Sequence, residues 1–398
     1  MHKSQPTGPS AAMVTLMAAA CGIVVANIYY AQPLIGLIGP AIGLSTHDAS
    51  LIVSLTQLGY AAGLVLLVPL GDLLENRALV VWTIAASIPA LLLAGFAHSG
   101  GLMLAAAVCI GITSVAVQML IPMAAHLTPE DRRGRVVGNI MSGLLFGILL
   151  ARPVSSVIAD VSSWRIVFFL SAIVMAVLAV LLRLALPQRQ PRARQAYGAL
   201  LVSLFVLPVQ LPLLRQRAVF QAALFVGFSL YWTGVPLLLA RDYGFSQAGI
   251  AAFALVGAGG ALIAPVAGRL ADRGYLRQGT IFGLLSVTAA FLVALAGGLA
   301  HSLVLLALGG VLLDAGVQTN MVFSQRAIYT LAPEIRSRLN GIFIAIFFLG
   351  GAAGSAVTSW MMARFGWPGL CGLGAVLPVL ALGYFISTLR PRLRRALG

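Results

Sequence analysis

"VPLGDLLENR", Val68 to Arg77, is a charged break between two apolar runs, and the same kind of break returns as "PVAGRLADRGYLR", Pro265 to Arg277. Asp72 falls opposite Asp272 at an offset of 200 residues, with Gly59 opposite Gly259. A second pair of loops, "LTPEDRRGRVVGN" (127–139) and "LAPEIRSRLNG" (331–341), sets Pro129-Glu130 opposite Pro333-Glu334 at an offset of 204. "YYAQPLI" (29–35) and "WTGVPLL" (232–238) align through Pro33 and Pro236. Three matches near half of the 398-residue length make the chain a duplication.

What is duplicated follows from composition. The chain is 60% apolar and 9% charged, with mean hydropathy +1.00, where soluble domains carry about 25% charged residues. A membrane-spanning helix needs about 20 mostly apolar residues. Such runs lie near 12–38, 49–70, 78–97, 101–126, 136–159, 164–186, 218–240, 246–268, 278–298, 302–326, 339–363 and 367–389. The expected fold is therefore an all-α membrane protein, with twelve transmembrane helices arranged as two pseudo-symmetric six-helix bundles. Its expected divisions are a first bundle at 1–186, a linker at 187–217 and a second bundle at 218–398. The start, "MHKSQPTGPSAAMVTLMAAAC", has the outline of a cleaved signal, but its apolar run continues to Ile42 and reads as the first span. Cys21, Cys109 and Cys371 lie inside apolar runs, the setting of buried hydrophobes and not of a disulfide.

The net charge of +15 is distributed with a strong bias. Twelve spans with both ends on one side give that side twenty Lys and Arg residues; the other side receives only Arg165, Arg241 and Arg364. This is the positive-inside pattern, so both termini are expected in the cytoplasm. The expected location is a bacterial inner membrane, where the basic loops meet anionic lipid headgroups and not nucleic acid. Between the halves, "PQRQPRARQ" (187–195) is followed by an apolar stretch containing Pro208 and Pro212, read as a helix lying in the interface.

These loop pairs carry a family resemblance. The chain resembles the major facilitator superfamily over essentially its whole length. The family's loop signature, G-x-x-x-D-R-x-G-R-R, is matched by Gly268, Asp272 and Arg273, while the first copy keeps Asp72 and Arg77 and has Val68 and Leu73 at the glycine and first arginine positions. "NIYYAQPL", "LLDAGVQTN" and "RSRLNG" resemble the bacterial efflux-permease-like branch. The glycine-rich motif of that branch's fifth span is only approximated by Gly147, Ala151, Pro153, Ser155 and Ser156. The arginine of many proton-coupled members is absent from the fourth span, where Ala107 stands near its place.

Lys3 is the only lysine, so a P-loop cannot form, and neither H-E-x-x-H nor G-x-S-x-G occurs. The sequence offers no enzyme apparatus and implies no cofactor or metal. The expected activity is secondary transport of a small, apolar or amphipathic solute by alternating access, with proton-coupled efflux by antiport as the first reading. An uncoupled facilitator or importer of a small metabolite, and a nontransporting membrane sensor, share the fold and stay open. Monomer is the expected state.

Candidate residues fall into three groups. Asp72, Arg77, Arg132, Arg133, Asp272 and Arg273 are candidate gating charges, placed where helix ends would meet in one state only. Asp314, about thirteen residues or roughly 20 Å inside the tenth span, is expensive in lipid and is read as the coupling proton's carrier or the partner of a cationic substrate. Arg152 is the other charge inside a span, read either as a coupling residue or as snorkelling toward the interface near Asp160. Candidate cavity walls are Asn27, Tyr30, Gln32, Ser114, Gln118, Tyr231, Trp232, Gln318 and Gln325. Gln318 and Gln325 share a helical stripe with Asp314, and the aromatics suit an apolar or cationic solute. "GAGG" (257–260) and "GGAAG" (350–354) read as close helix contacts.

Overall fold

The computed structural model describes residues 8–45, 48–191, 196–261, 263–331 and 335–396. Pro333 and Glu334, used in one loop match, together with Lys3, Arg192 and Arg194, lie outside these.

The first crossing is broken. Helix α1 (Ala11–Ala26) gives way to turns and a 3-10 segment, Gln32–Leu34, before α2 (Ile35–Ala41). Pro33 lacks the N–H that would continue the α-helical ladder there. The second and third crossings are α3 (Leu51–Leu66), extended by a 3-10 segment over Val68–Asp72, and α4 (Asn76–Gly95). The fourth is α5 (Gly100–Thr113) and α6 (Val117–Leu127), joined by a 3-10 turn at Ser114–Ala116. The fifth and sixth are α7 (Glu130–Val161) and α8 (Trp164–Ala185). Helix α9 (Tyr197–Gln210) follows, on the stretch expected to hold an interfacial helix.

In the second half, α10 (Pro212–Asp242) is the seventh crossing, and the eighth is divided into α11 (Gln247–Ala254), α12 (Gly257–Ala261) and α13 (Ala264–Asp272). Helices α14 (Leu276–Leu299) and α15 (Leu303–Tyr329) form the ninth and tenth. Helix α16 (Arg336–Ala396) holds the last two crossings on either side of Gly366, whose φ of 64° and ψ of −167° break the helix in a conformation that glycine adopts without strain. Among the described residues nine helices are each long and apolar enough to cross a membrane. The broken first and eighth crossings and the bend in α16 bring the total to twelve.

Local chemistry sets the starts of these helices. Ser10, Ser99, Ser163, Ser246 and Ser302 each accept a backbone N–H of the following turn, which caps α1, α5, α8, α11 and α15. The outer faces carry bare apolar side chains such as Trp82, 73% exposed, Leu184 and Val304, a surface that suits lipid and not water. Cys109 is exposed on such a face, which corrects the expectation that all three cysteines are buried; a lipid-facing position does not require a covered thiol.

Glu75 ties the linker to the first half. Its carboxylate caps α4 by accepting the N–H groups of Arg77 and Ala78, both at 2.9 Å, and also accepts that of Arg189 at 3.1 Å. The Asn76 N–H donates to the Arg189 carbonyl, and the Arg189 guanidinium donates to the Asn76 side chain. Burial raises the Glu75 pKa, but the three N–H donors and the charge of Arg77 outweigh it and leave the group below the ordinary glutamate value. Because the folded value is the lower one, the stabilisation is complete above the unfolded-state pKa and is lost as pH falls through the folded value. Glu75→Ala is expected to cost about 1 kcal/mol at neutral pH. Thermal unfolding in detergent should show the gap from wild type closing as pH falls through that window, and equal melting temperatures at pH 7 would contradict the tie.

Candidate transport site between the two halves

Three contacts close one end of the structure. The Ser50 N–H donates to the Ser359 hydroxyl and the Ser359 N–H to the Ser50 hydroxyl, both at 3.2 Å, joining α3 of the first half to α16 of the second. Deeper on the same pair, Ser54 donates to the Ala352 carbonyl at 2.7 Å. The Ala248 N–H donates to Asp160 Oδ1 at 3.2 Å, joining α11 to α7. At the arginine-rich end the halves part around a cleft. Asp72, Gln118 and His126 of the first half line it with Arg189 of the linker and Arg338 of α16.

Between the closed end and the cleft lies a buried polar core. Arg152, on α7 and 3% exposed, donates from Nε to Gln32 Oε1 at 2.8 Å. Gln32 in turn donates from Nε2 to Thr233 Oγ1 of α10 at 3.2 Å, so the broken first crossing meets the seventh through its amide. The Arg152 guanidinium lies over three rings, 4.6 Å from the centroid of Trp232 and 5.1 Å from those of Tyr29 and Phe228. Trp232 donates its indole N–H to Asp314 Oδ1 at 2.9 Å. One indole therefore joins a buried cation of the first half at its face to a buried carboxylate of the second half at its edge. A cation over an indole face draws electron density from the ring, which makes the N–H a better donor to the carboxylate.

The glycines of α12 complete this core. A Cβ on Gly257 would stand 2.8 Å from Asp314 Oδ2 and 3.0 Å from the Trp232 ring, and one on Gly260 would stand 2.5 Å from the Asp314 Cβ. Any larger residue would push the carboxylate away from the indole. The "GAGG" run is thus a close contact, made by the α12 backbone over Asp314.

The remaining candidates separate. Arg152 does not snorkel; Gln32 and three aromatic rings hold it inside the protein. Gln118 lines the cleft and donates to the Tyr60 hydroxyl at 3.3 Å. Asn27 instead turns into the first half, accepting from Ser171 at 2.6 Å and donating to Met175 Sδ at 3.6 Å. Tyr30 lies half-buried in an apolar groove between α1 and α7. The Ser114 hydroxyl bonds back to the Ile110 carbonyl at the 3-10 turn and is fully buried. Tyr231 donates to the Leu306 carbonyl at 2.6 Å, fastening α10 to α15. Gln318 is half-buried, and Gln325 donates to Asn340 at 3.0 Å, so the stripe below Asp314 continues into contacts within the second half.

The loop charges also pair differently from their sequence neighbourhood. Arg77 donates to the Leu186 carbonyl at 3.3 Å and not to Asp72. Asp272 pairs with Arg326 at 3.2 Å, inside one half, and not with Arg273, which lies exposed at the end of α13. Both partners of that pair are more than half exposed, so it adds little stability. Arg133 donates to the Ala125 carbonyl at 2.9 Å and stands 3.8 Å from Glu130. The Arg132 N–H donates to the Pro129 carbonyl in the first turn of α7.

Four residues of this region escaped the sequence reading: Phe228, Thr233, Gln57 and Ser229. Gln57 and Ser229 exchange hydrogen bonds of 3.1 and 3.2 Å between α3 and α10. The lone amide of Gln57 inside "SLTQLGY" was the available signal, as was Phe228 one helical turn before Trp232.

With a duplicated twelve-crossing bundle and a polar core between its halves described, comparison with known proteins decides the family. The sequence profile of the Major Facilitator Superfamily matches residues 14–298 and 217–397. The chain belongs to the major facilitator superfamily. It is 40% identical over 375 residues to the "Uncharacterized transporter YgaY" of Escherichia coli O157:H7, covering 94% of each chain. It is 31% identical to the "Probable transporter SCO4007" of Streptomyces coelicolor, over 97% of this chain and 89% of that one. A more distant similarity, 24% over 296 residues, is to the "Chloramphenicol efflux pump Rv0191" of Mycobacterium tuberculosis, over 73% and 71% of the two chains. Among solved structures, a bacterial homologue of the human lysosomal transporter Spinster, in an inward-facing and unoccupied conformation, superposes with a TM-score of 0.74. The two are 16% identical, and the match covers 96% of this chain and 97% of that one. This major facilitator is a multi-pass membrane transporter and not an enzyme.

Proposed function

We propose that this transporter exports a small amphipathic solute in exchange for protons, with Asp314 as the group that carries the proton. The observation that carries the reading is the Trp232 bridge between Asp314 and Arg152. With Asp314 ionised, the buried charges balance and the indole N–H has a charged acceptor. Protonation leaves Arg152 without its counter-charge and weakens the N–H bond, so the contact between the halves loosens. A proton can reach a carboxylate covered by the α12 backbone, where a bulky cation has no room.

The arginine bias supports placing the cleft and both termini on the cytoplasmic side of a bacterial inner membrane, with anionic lipid headgroups against the basic loops. The closed end then faces the periplasm, and the described state opens inward. Asp72 and Arg338 line the two walls of the cleft and would approach when it closes, which gives Asp72 a gating role across the halves. Asp272, whose exposed pairing with Arg326 adds little stability, is left free to exchange partners at the cytoplasmic end as the halves move, which suits a gating charge. The central site lies between the halves of one chain and needs no second copy, which supports a monomer as the working unit. The likeness to a chloramphenicol efflux pump supports export and an amphipathic solute, at low identity.

Reconstitution tests this reading. Proteoliposomes loaded with a panel of neutral and charged aromatic solutes should show fluxes driven by an imposed pH difference and abolished by a protonophore. Fluxes that ignore the pH difference would leave a facilitator, and no flux for any solute would leave a sensor.

A further inference from the structure

We infer that Arg152 forms a subsite for an uncharged hydrogen-bond acceptor (a carbonyl, ester or nitro group) on an aromatic or apolar body, and that lipophilic ions of either sign are poor ligands. The inference rests on the transport reading above and names the substrate class of the same site.

The guanidinium is 3% exposed, and its Nε is bound to Gln32, but Nη2 is buried with no hydrogen-bond partner among the described residues. A donor left in this state is costly, and a charged donor more so. The walls around the guanidinium are the rings of Tyr29, Phe228 and Trp232, which offer flat apolar surface and no acceptor directed at Nη2. In the described state the rings and the guanidinium close on one another, so a ligand enters only as the halves move apart; an acceptor on a flat body would then satisfy the open N–H and pack against the ring edges together.

Charge sets the class. Aromatic boxes commonly receive cations, but Arg152 already occupies this one and would repel a second cation. Asp314, at the other edge of Trp232, already balances Arg152, so an anion would leave net charge in a dry site. Asp314 is itself shut off from a solute cation, because its Oδ1 takes the indole N–H and its Oδ2 lies under Gly257. A neutral acceptor is the one addition that satisfies Nη2 and leaves the charges balanced.

Binding to the purified full-length protein, measured by thermal shift and calorimetry at pH 7.5 without a gradient, tests this with four probes on one ring system. These are naphthalene, 2-acetonaphthone, 2-naphthoate and a 2-naphthyl trimethylammonium salt. The ketone is expected to bind on the order of tenfold more tightly than naphthalene, the step of one hydrogen bond to a charged donor, and more tightly than either ion. Arg152→Lys, which keeps the charge and removes Nη2, should bring the ketone down to the affinity of naphthalene. The ranking in wild type stands without any variant, should Arg152→Lys fail to fold. Equal binding of ketone and naphthalene, preference for the ammonium salt or the carboxylate, no binding of any probe, or an unchanged ketone preference in a folded Arg152→Lys protein each overturns the subsite. A correct ranking without pH-driven flux keeps the subsite and removes the coupling; pH-driven flux without the ranking does the reverse.

Discussion

Asp314→Asn is expected to abolish accumulation driven by a pH gradient while preserving exchange of solute between the two sides. One proton moving down a difference of about two pH units supplies roughly 2.7 kcal/mol, enough to hold a solute gradient on the order of a hundredfold. The asparagine oxygen can still accept the Trp232 N–H, so the 2.9 Å contact survives, but the group no longer exchanges a proton. The accumulation ratio should therefore fall from about a hundred to one, and counterflow of labelled solute, which needs only alternation, should continue. The experiment is read in proteoliposomes holding equal amounts of each protein. Accumulation by Asp314→Asn at the wild-type level would move the coupling group elsewhere, and loss of counterflow together with accumulation would make Asp314 a structural residue.

The outline of this site was legible because membranes penalise charge. Asp314 and Arg152 stand out as carboxylate and guanidinium deep inside apolar runs, where neither can remain without a compensating setting. Their connection was not legible. It depends on Trp232 lying between Arg152 of α7 and Asp314 of α15, and on the broken first crossing holding Arg152 through Gln32; the break at 27–34 is signalled by Pro33 without its direction being given. The same limit applies to the amides and hydroxyls. Helical spacing groups Asp314, Gln318 and Gln325 on one stripe, yet spacing within a helix cannot tell whether a stripe meets a cavity or a neighbouring helix. Gln325 meets Asn340, and Asn27 meets Ser171.

The partners of the loop charges are hidden from the sequence for a related reason. Asp272 and Arg273 are adjacent in sequence, but successive residues at a helix end point about 100° apart, so adjacency does not decide pairing: Arg241 meets Asp242 at 3.2 Å, whereas Asp272 turns to another helix. Arg326, at the far end of another helix, has the better geometry. The repeat at offset 200 reports that the halves share an ancestry of loops; it says nothing of which loop meets which. Fold was readable from periodic and duplicated features, whereas pairing across the halves is a property of the assembled bundle.

The contact at the closed end leads to the other large expected effect. A Ser50→Cys/Ser359→Cys protein, in a background with Cys21, Cys109 and Cys371 replaced, should lose transport completely on oxidation and regain it on reduction. The two reciprocal N–H to hydroxyl bonds of 3.2 Å hold these side chains across the boundary between α3 and α16, close enough for a disulfide to replace them. In the native protein that closure is a few hydrogen bonds, each worth about 1 kcal/mol net, which a conformational cycle can break and remake. A covalent bond at the same place removes the open state from the cycle. A matched cross-link within one half separates this effect from general rigidity. Gln325→Cys/Asn340→Cys, joined by a bifunctional thiol reagent that spans the length of the two native side chains meeting at 3.0 Å, does not cross the boundary and should leave most of the transport intact when cross-linked. Full transport by the oxidised Ser50→Cys/Ser359→Cys protein would mean that solute passes without this end opening, and the two halves would then not alternate about the Arg152, Trp232 and Asp314 core.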